Sequence, residues 1–314
     1  MAEPLATLVV LNYDGRELLD TYLPSVLDQR FDSFEVVVFD NGSRDGSAEH
    51  VRARWPEVRV VELPKNVGVT AALNAMVEGT GGEFVALLNN DVELDPSWLS
   101  LLVEALRAFP EAAAAAGKLL RFQDRSVIDR AGDELRWSSA AFGRGAGQAD
   151  HGQLDEAGEV FAVGGAAALY RRVVFERVGC FDADFFAYLE DVDWGFRARL
   201  AGYSARYEPR ALGYHLGGAT LGAINSFSLY HLRRNQIWLV AKNYPLTSLM
   251  RHAPAVLAFN VHAVAMAVRQ RRFGLVVRAY RDALRALPVV SRKRCAIQRT
   301  RAITPRDLER VMRR

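Results

Sequence analysis

The stretch FVALLNNDVELDP, residues 84–96, sets two asparagines and an aspartate directly after an apolar run. A short apolar run of this kind predicts a strand that is buried on both faces of a parallel sheet. In such sheets, ligands bind outside the carboxyl ends of the strands. Asn89, Asn90 and Asp91 are therefore candidate site residues.

The sequence before and around this stretch alternates between strand-like and helix-like patterns. Leu19, Leu23 and Val26, for example, fall on one face of a predicted helix. This alternation predicts an α/β fold with a mostly parallel central sheet flanked by helices. The predicted strands cover residues 5–12, 34–40, 58–63 and 84–89, and the predicted helices cover residues 16–29, 47–54 and 69–78.

The middle of the chain is less regular. Residues 112–122 begin with an alanine run that favours helix, but β-prone residues follow and we predict a strand. Residues 124–159 are polar and rich in glycine, which predicts a long functional loop over the site. The remaining pattern predicts a strand at 160–170, a strand edge running into a helix at 185–201, and a helix at 226–242.

The amino terminus and the cysteines indicate a compartment. Residues 1–4 lead straight into a strand without a basic flank, so we expect no secretion signal. Cys180 and Cys295 are the two cysteines among 314 residues, too few for a disulfide framework or a cysteine zinc cluster. We therefore expect a protein that works in the reducing cytosol.

Charge divides the chain into two regions. Residues 1–245 contain 24 Lys and Arg against 34 Asp and Glu, whereas residues 246–314 contain 16 against 3. We therefore expect one domain at 1–245 and a basic, amphipathic helical region at 246–314. Such a basic end suggests an anionic partner, either a phospholipid surface or a nucleic acid.

Lipid suits the basic region better than nucleic acid, because its arginines alternate with Leu, Val and Ala and few aromatic side chains are available for stacking. Residues 253–268 are uncharged but shorter than the ~20 residues of a membrane-spanning helix. Residues 269–281 combine an apolar stripe with arginines, as in a helix lying on anionic lipid. The alternative is a packed helix with a solvated basic face. Thr304 and Pro305 predict the start of a last helix.

Two motifs near the amino terminus suit a nucleotide. Asp40 ends a predicted strand and precedes a turn, where its carboxylate could accept the imide N–H of a uracil or thymine ring; turn chemistry alone is the alternative. Asn66 and Gly68 precede a predicted helix whose first turn could bind a phosphate.

Acidic residues suggest a cation and a base. Asp91, at a strand end, could bind a hard divalent cation together with diphosphate and water oxygens. Glu190, Asp191 and Asp193 lie near the start of a predicted helix beside aromatic residues, where a raised pKa would make a general base. The alternative is that these acidic residues only stabilise the amino-terminal end of the helix by interacting with its dipole. A single histidine such as His215 is more often a packed or surface residue than a metal ligand. His215 becomes a candidate site residue because it occurs together with these acidic motifs.

In this order, the motifs resemble those of glycosyltransferase family 2, and most of all its bacterial rhamnosyltransferase-like members. The resemblance spans about residues 5–245 and implies a GT-A fold, with a Rossmann-like central sheet and here a C-terminal helical extension. It rests on residues 11–13, 39–43, 66–68, 89–91, 164–166, 171–172, 179–182, 190–193 and His215.

The resemblance also implies roles for individual residues. Asp191 would be the catalytic base, with Glu190 supporting it, and Asp91 and His215 would hold Mg²⁺ or Mn²⁺. The donor nucleotide sugar would contact the base-binding Asp40 and the asparagines Asn12, Asn66, Asn89 and Asn90. Asn89 and Asn90 stand where the family often has aspartates, and this departure predicts weaker metal binding.

The implied reaction is an inverting transfer of a sugar to a hydroxyl of a glycan or lipid-linked acceptor in cell-surface polysaccharide synthesis. The donor would be dTDP-rhamnose, or a UDP-sugar, and the enzyme would lie on the inner face of the plasma membrane. The rival classes are a nucleotidyltransferase, although residues 12–15 do not form the expected basic phosphate loop, and a non-enzymatic protein that binds a membrane or nucleic acid through its tail. The glycosyltransferase prediction requires Asp91 and Asp191 to lie in one cleft.

Overall fold

The computed structural model describes residues 3–217 and 225–313. Most strands of these ranges join one ten-stranded sheet, and two short ones form a separate hairpin. The strands are β1 (Ala6–Asn12), β2 (Phe34–Asp40), β3 (Arg59–Glu62), β4 (Phe84–Asn89), β5 (Val92–Leu94), β6 (Ala112–Arg121), β7 (Ile128–Arg130), β8 (Asp133–Leu135), β9 (Ala141–Gly143), β10 (Gly158–Val160), β11 (Ala167–Arg171) and β12 (Ser204–His215).

The helices follow the predicted alternation in the first hundred residues and then dominate the carboxyl-terminal third. They are α1 (Arg16–Leu27), α2 (Ser47–Arg54), α3 (Val69–Glu78), α4 (Trp98–Ala108), α5 (Arg172–Val178), α6 (Glu190–Leu200), α7 (Ser226–Asn243), α8 (Leu246–Arg269), α9 (Phe273–Arg285), α10 (Leu287–Arg299) and α11 (Pro305–Val311). The predicted start of the last helix is confirmed, because Thr304 and Asp307 form a capping box there.

The sheet is mixed, and its order is β10-β12-β6-β11-β4-β1-β2-β3. Strands β4, β1, β2 and β3 run parallel, so their carboxyl ends meet at one edge. Strand β11 is antiparallel to both of its neighbours, β4 and β6. Strand β12 runs parallel to β6. Its last residues pair with β5, which extends the edge where the carboxyl ends of the parallel strands meet.

Alternate residues of the central strands bury opposite faces of the sheet. Leu8 packs in one core with Leu19 of α1 and Trp98 of α4. Val9 packs in a second core with Met76 of α3. Because both faces are covered by helices, the central strands are apolar along their whole length, as their sequences predicted.

The alanine run of β6 is a buried strand, as predicted. Its five alanines are at most 4% exposed. The small methyl groups lie in the two cores beside large rings, including Trp98 on one face and Tyr207 on the other. Tertiary packing therefore overrides the helix propensity of alanine here.

Three predictions for the middle of the chain are wrong. The predicted strand at 160–170 is interrupted, because Gly164 and Gly165 separate β10 from β11. The predicted loop at 124–159 contains β7, β8 and β9, which pair with β6 or with each other. The predicted strand edge near Phe185 is instead a 3₁₀ turn, Ala183–Phe185, followed by irregular backbone that leads into α6.

The carboxyl-terminal helices pack on α7. Val276 and Ala283 of α9 are fully buried, the first beside Leu229 and the second beside Trp238. Within the stripe predicted to lie on lipid, Val276 and Ala279 are thus internal, whereas Phe273 and Val277 are 49% and 45% exposed. Lipid binding by this helix stays a prediction. Among the helices of the described ranges, none combines the length and the apolar composition needed to cross a membrane.

Candidate active site

The parallel strands deliver polar side chains to one edge of the sheet. The register pairs Asn12, the last residue of β1, with Asp40, the last residue of β2. Asn12 Nδ2 donates to Asp40 Oδ2 at 2.9 Å, and Asn90 Nδ2 donates to Asn12 Oδ1 at 2.7 Å. The three side chains are buried, so they form a fixed polar layer under the edge.

Asp40 is held within the protein at both carboxylate oxygens. Besides Asn12, it accepts a 2.7 Å hydrogen bond from the backbone N–H of Ser43, and it is 2% exposed. Its predicted contact with a nucleotide base stays a prediction. The observed bonds show that it fixes the turn after β2.

The loops that follow β2 and precede α3 are joined by two asparagines. Asn66 Oδ1 accepts from Gly68 N–H at 2.9 Å and from Asn41 Nδ2 at 3.3 Å. Asn41 Oδ1 accepts from Val67 N–H at 3.0 Å. Gly42 has a φ of +79°, and a Cβ there would collide with the backbone of the second loop. These contacts form one wall beside the Asn12–Asp40 edge, with Asn66 itself exposed.

Asp91 and His215 meet although they are far apart in the chain. The pairing of β12 with β5 sets His215 opposite Val92, the residue after Asp91. His215 Nε2 lies 3.3 Å from Asp91 Oδ1, and this contact lacks the geometry of a hydrogen bond. Asp91 is 4% exposed, so a carboxylate oxygen and an imidazole nitrogen face each other in a buried position.

Asp129 of β7 orients His215. His215 Nδ1 donates to Asp129 Oδ2 at 2.9 Å, which turns Nε2 towards Asp91. Burial lowers the pKa of His215, but the hydrogen bond to Asp129 and the nearby carboxylates of Asp129 and Asp91 outweigh it and raise the pKa to about 9. The arrangement therefore favours a positive charge between two carboxylates.

The pair of Asp91 and His215 fits a divalent cation. Ligands about 2.1 Å from one ion and at right angles to each other lie about 3 Å apart, close to the observed 3.3 Å. A histidine that binds metal usually donates its other ring N–H to a carboxylate, as His215 does to Asp129. The residues of the described ranges form no group of three or more His, Cys, Asp or Glu that could hold a metal.

Asp191 is anchored to the same edge. The backbone N–H of Gly165 donates to Asp191 Oδ2 at 2.9 Å, and the next residue, Ala166, accepts from Asn89 N–H at 2.9 Å. Asn89 stands two residues before Asp91, so a short series of bonds joins the two carboxylates. The interruption of the predicted strand at 160–170 thus frees the Gly165 N–H for Asp191.

Glu190 precedes Asp191 in the first turn of α6 and is buried. Burial and the adjacent Asp191 carboxylate raise the pKa of Glu190 to about 8. Glu190 Oε2 has no hydrogen-bond partner among the described residues. Asp193, which the sequence grouped with these two, is different: it is fully buried and paired with Arg197 and Lys242, so its role is structural.

Comparison with known proteins identifies the family. A profile described as glycosyl transferase family 2 matches residues 7–179. The chain belongs to glycosyl transferase family 2. It is 30% identical to an N-acetylglucosaminyl-diphospho-decaprenol L-rhamnosyltransferase of Mycobacterium tuberculosis, over 65% of this chain and 73% of that protein. It is 26% identical to a poly-beta-1,6-N-acetyl-D-glucosamine synthase of Staphylococcus epidermidis, over 68% of this chain and 50% of that protein.

Solved structures show that this glycosyltransferase has the GT-A fold. The mannosyltransferase PcManGT of Pyrobaculum calidifontis, solved with GDP-Man and Mn²⁺, matches with a TM-score of 0.58 at 18% identity, over 96% of this chain and 86% of the other. GalNAc-T7, solved with UDP, GalNAc and Mn²⁺, matches with a TM-score of 0.62 at 14% identity, over 78% of this chain and 49% of the other. The predicted fold is confirmed.

The glycosyltransferase has further charged groups at its site that the sequence did not reveal. Arg130, next to Asp129 on β7, pairs with the buried Asp133 at 2.8 Å. Burial raises the pKa of Asp133 to about 7, against the opposing effect of Arg130. Gly164 has no side chain to displace the Arg130 guanidinium, which lies against it. Arg130 thus brings a positive charge close enough to interact with the carboxylates of α6.

Proposed function

We propose that this glycosyltransferase is metal-dependent and inverting, and that it moves rhamnose from dTDP-rhamnose to a hydroxyl of a saccharide linked to a lipid diphosphate. The rhamnosyltransferase relative, whose name gives L-rhamnose as the sugar and an N-acetylglucosaminyl lipid diphosphate as the acceptor, supports this sugar and this acceptor class. The observation that carries the proposal is the common edge that holds the Asp91–His215 pair and the anchored Asp191. The reaction would serve cell-surface polysaccharide synthesis.

Asp91 and His215 would hold Mg²⁺ or Mn²⁺, with oxygens of the donor diphosphate and water completing the ligand shell. Bound there, the cation would supply positive charge where the departing nucleoside diphosphate gains negative charge. Asp129 would keep His215 Nε2 aimed at this position. Since Asn89 and Asn90 are neutral, much of the charge that attracts the cation would come from the donor itself.

Asp191 would act as the general base. Gly165 fixes one of its oxygens, and burial together with the adjacent Asp191 carboxylate raises the pKa of Glu190 to about 8. Asp191 takes the proton of the acceptor hydroxyl while that oxygen bonds to the anomeric carbon. The bond from this carbon to the diphosphate oxygen breaks, and its electron pair leaves with the nucleoside diphosphate.

The other predicted donor contacts fall into two groups. Asn12, Asp40 and Asn90 bond to one another and would shape the floor of the nucleotide site. Asn66, which is exposed, and Asn89, which is partly buried, are better placed to contact the nucleotide sugar directly. Asp40 would offer its carboxylate to the imide of the thymine ring.

The enzyme would work at the inner face of the plasma membrane, held by its carboxyl-terminal helices. Helix α8 has no charged residue between Arg251 and Arg269. Its exposed apolar side chains recur at helical spacing, and we call this set the α8 face. The α8 face consists of Met250 at 63% exposed, Leu257 at 65%, Val261 at 59% and Val268 at 57%.

Arginines of the next helix, α9, would contact anionic headgroups. Arg278, Arg281 and Arg285 of α9 are each more than half exposed. Arg281 and Arg285 also line a surface pocket of about 570 Å³ together with Val277, Tyr280 and Leu284. Apolar side chains beside guanidinium groups suit the boundary between acyl chains and phosphates.

A transfer assay with purified enzyme tests the proposed reaction. We expect Mn²⁺-dependent transfer from dTDP-rhamnose, in a panel with UDP-N-acetylglucosamine and GDP-mannose, to a short-chain lipid diphosphate N-acetylglucosamine. Asp191→Asn should lower kcat at least 10²-fold and leave donor binding near wild type, because it removes the base but not the cation site. Asp91→Ala should lose Mn²⁺-dependent donor binding.

Two results would overturn this proposal. Normal turnover by Asp191→Asn would exclude Asp191 as the base. Equal transfer by the wild type with Mn²⁺ and with excess EDTA would exclude the cation. Activity with another nucleotide sugar alone would replace the donor and keep the mechanism.

A further inference from the structure

The segment that enters α6 has a strained backbone. Phe186, Tyr188 and Leu189 have φ angles of +65°, +68° and +66°, a region that residues with side chains adopt rarely. Each such residue costs of order 1–3 kcal/mol unless its surroundings impose the conformation. Glu190 and Asp191 follow directly, so the strain lies at the entry to the proposed catalytic carboxylates.

Asn235 of α7 imposes this conformation. Its side chain is fully buried, and Nδ2 lies within 3.0 Å of three carbonyl oxygens of the segment, those of Phe185, Ala187 and Tyr188. The neighbouring Arg234 donates to Phe185 O as well, at 2.8 Å. Two consecutive α7 residues therefore hold the segment from one side.

The strained segment brings two aromatic rings to the surface next to a third from α7. We call Phe186, Tyr188 and Phe227 the aromatic platform. Phe186 and Phe227 are 42% and 39% exposed, and their ring centroids are 6.1 Å apart. The Tyr188 and Phe227 rings are 6.3 Å apart. His231 stacks against Phe186 at 5.5 Å and supports it from α7.

The platform adjoins both the donor wall and the carboxylates. A Cβ on Gly68 would lie 2.6 Å from the Phe186 ring, so that ring rests against the backbone between Asn66 and α3. Phe186 O accepts from Thr70 N–H at 3.1 Å, in the first turn of α3. Tyr188 is two residues before Glu190. Burial raises the pKa of the Tyr188 hydroxyl, against the opposing effect of its hydrogen bond with Ser228, and Glu190 adds a smaller upward contribution.

We propose that the aromatic platform binds a sugar ring of the acceptor and sets its hydroxyl against Asp191. Exposed, rigidly held rings offer an apolar surface to the C–H face of a pyranose, and small-molecule sites combine such surfaces with a few polar groups. Glu190, Asp191 and the Tyr188 hydroxyl are the polar groups here. The inference rests on the proposed glycosyl transfer and assigns its second substrate a place.

The test measures donor and acceptor kinetics separately. Phe227→Ala and Phe186→Ala should raise the KM for the short-chain lipid diphosphate N-acetylglucosamine at least tenfold. For Phe227→Ala, the affinity for dTDP with Mn²⁺, measured by calorimetry, should stay within twofold of wild type. Phe227→Tyr should restore the acceptor KM, since it keeps the ring. Phe142→Ala is the matched control, because Phe142 is a similarly exposed ring, 46% on β9, that packs against Arg136.

The outcomes separate the inference from the function on which it rests. If the wild type transfers no sugar, the proposed function fails. If the wild type is active and both alanine variants keep the wild-type acceptor KM, the platform is not the acceptor site. A KM loss that depends on lipid chain length but not on the sugar, shown with acceptors of two chain lengths and two sugars, would assign the rings to the lipid and overturn the inference.

Discussion

At the scale of single residues, Asp129 decides which nitrogen of His215 is available. A neutral imidazole has one protonated nitrogen, and the carboxylate of Asp129 keeps that proton on Nδ1. Nε2 then carries the lone pair on the side of Asp91. At the proposed cation site the carboxylate would therefore act through His215 and not by direct contact, which would make Asp129 a positioning residue.

Asp129→Asn should weaken Mn²⁺ binding in the presence of dTDP by about 10–100-fold, the usual cost of losing such a partner. An asparagine amide can offer its N–H₂ group to Nδ1, which would favour the wrong tautomer. Calorimetry of Mn²⁺ binding measures the effect directly. Asp124→Asn, at an exposed aspartate three residues after the end of β6, is the control and should bind Mn²⁺ like wild type.

An unchanged Mn²⁺ affinity in Asp129→Asn, with an intact fold by circular dichroism, would contradict the positioning role. Lower activity with normal Mn²⁺ binding would also contradict it, because the loss would then arise elsewhere.

The sequence predicted the site residues that stand at strand ends or helix starts. Asp91 and Asp191 are of this kind, and both lie at the expected edge of the sheet. Asp129 and Arg130 were missed because they belong to a three-residue strand inside a polar, glycine-rich segment. Only the pairing of β7 with β6 brings them to His215, and no local pattern encodes that pairing.

At the scale of elements, α10 is tied to the segment before the proposed catalytic carboxylates by an ion network centred on the buried Lys242. Lys293 of α10 and Lys242 of α7 both donate to the Asp182 carboxylate, at 2.5 and 2.6 Å. Lys293 also reaches Asp184 at 2.7 Å. The basic carboxyl-terminal region thus supports the acidic part of the chain as well as offering a charged surface.

This network predicts a loss of stability in acid. Burial raises the pKa of Asp182, but Lys242 and Lys293 outweigh it and lower the pKa from 3.8 to about 2. A carboxyl group with a lowered folded pKa stabilises the fold above its unfolded pKa, and this stabilisation is lost as the pH falls through the folded pKa. Asp182 should therefore contribute about 2 kcal/mol above pH 5, lost between about pH 4 and pH 2.

The test compares the free energy of unfolding at several pH values in this window. In Lys293→Met one of the two ammonium partners is absent, so the acid-dependent loss should be roughly half that of the wild type. Arg292→Met, one residue earlier on an exposed position of the same helix, is the matched control and should keep the wild-type loss. Equal pH dependence in all three proteins would contradict the role of Lys293.

At the scale of the whole molecule, the fold was predictable and the orientation of the tail was not. Apolar runs and helical stripes gave the alternation of the first hundred residues, because each period follows from burial on a sheet or a helix. In the carboxyl-terminal helices, apolar residues at the same helical spacing lie on buried faces in some places and on exposed faces in others. Val276 faces α7, whereas Leu257 faces solvent, and only the packing of α8 and α9 separates these cases.

The exposed α8 face predicts how the intact enzyme binds a membrane. Full-length protein should sediment with vesicles of phosphatidylglycerol and phosphatidylcholine, less with phosphatidylcholine alone, and high salt should reduce the binding by screening the arginines. The double variant Leu257→Asp and Val261→Asp should partition at least tenfold more weakly, since each side chain loses apolar contact of order 1.5–3 kcal/mol. Val173→Asp, at a 43% exposed valine of α5, is the matched control and should bind like wild type.

If the double variant keeps wild-type partitioning and Arg278→Glu with Arg281→Glu abolishes it, the apolar face is not inserted and charge alone holds the enzyme. If neither pair of substitutions changes the partitioning, another surface of the protein binds the membrane.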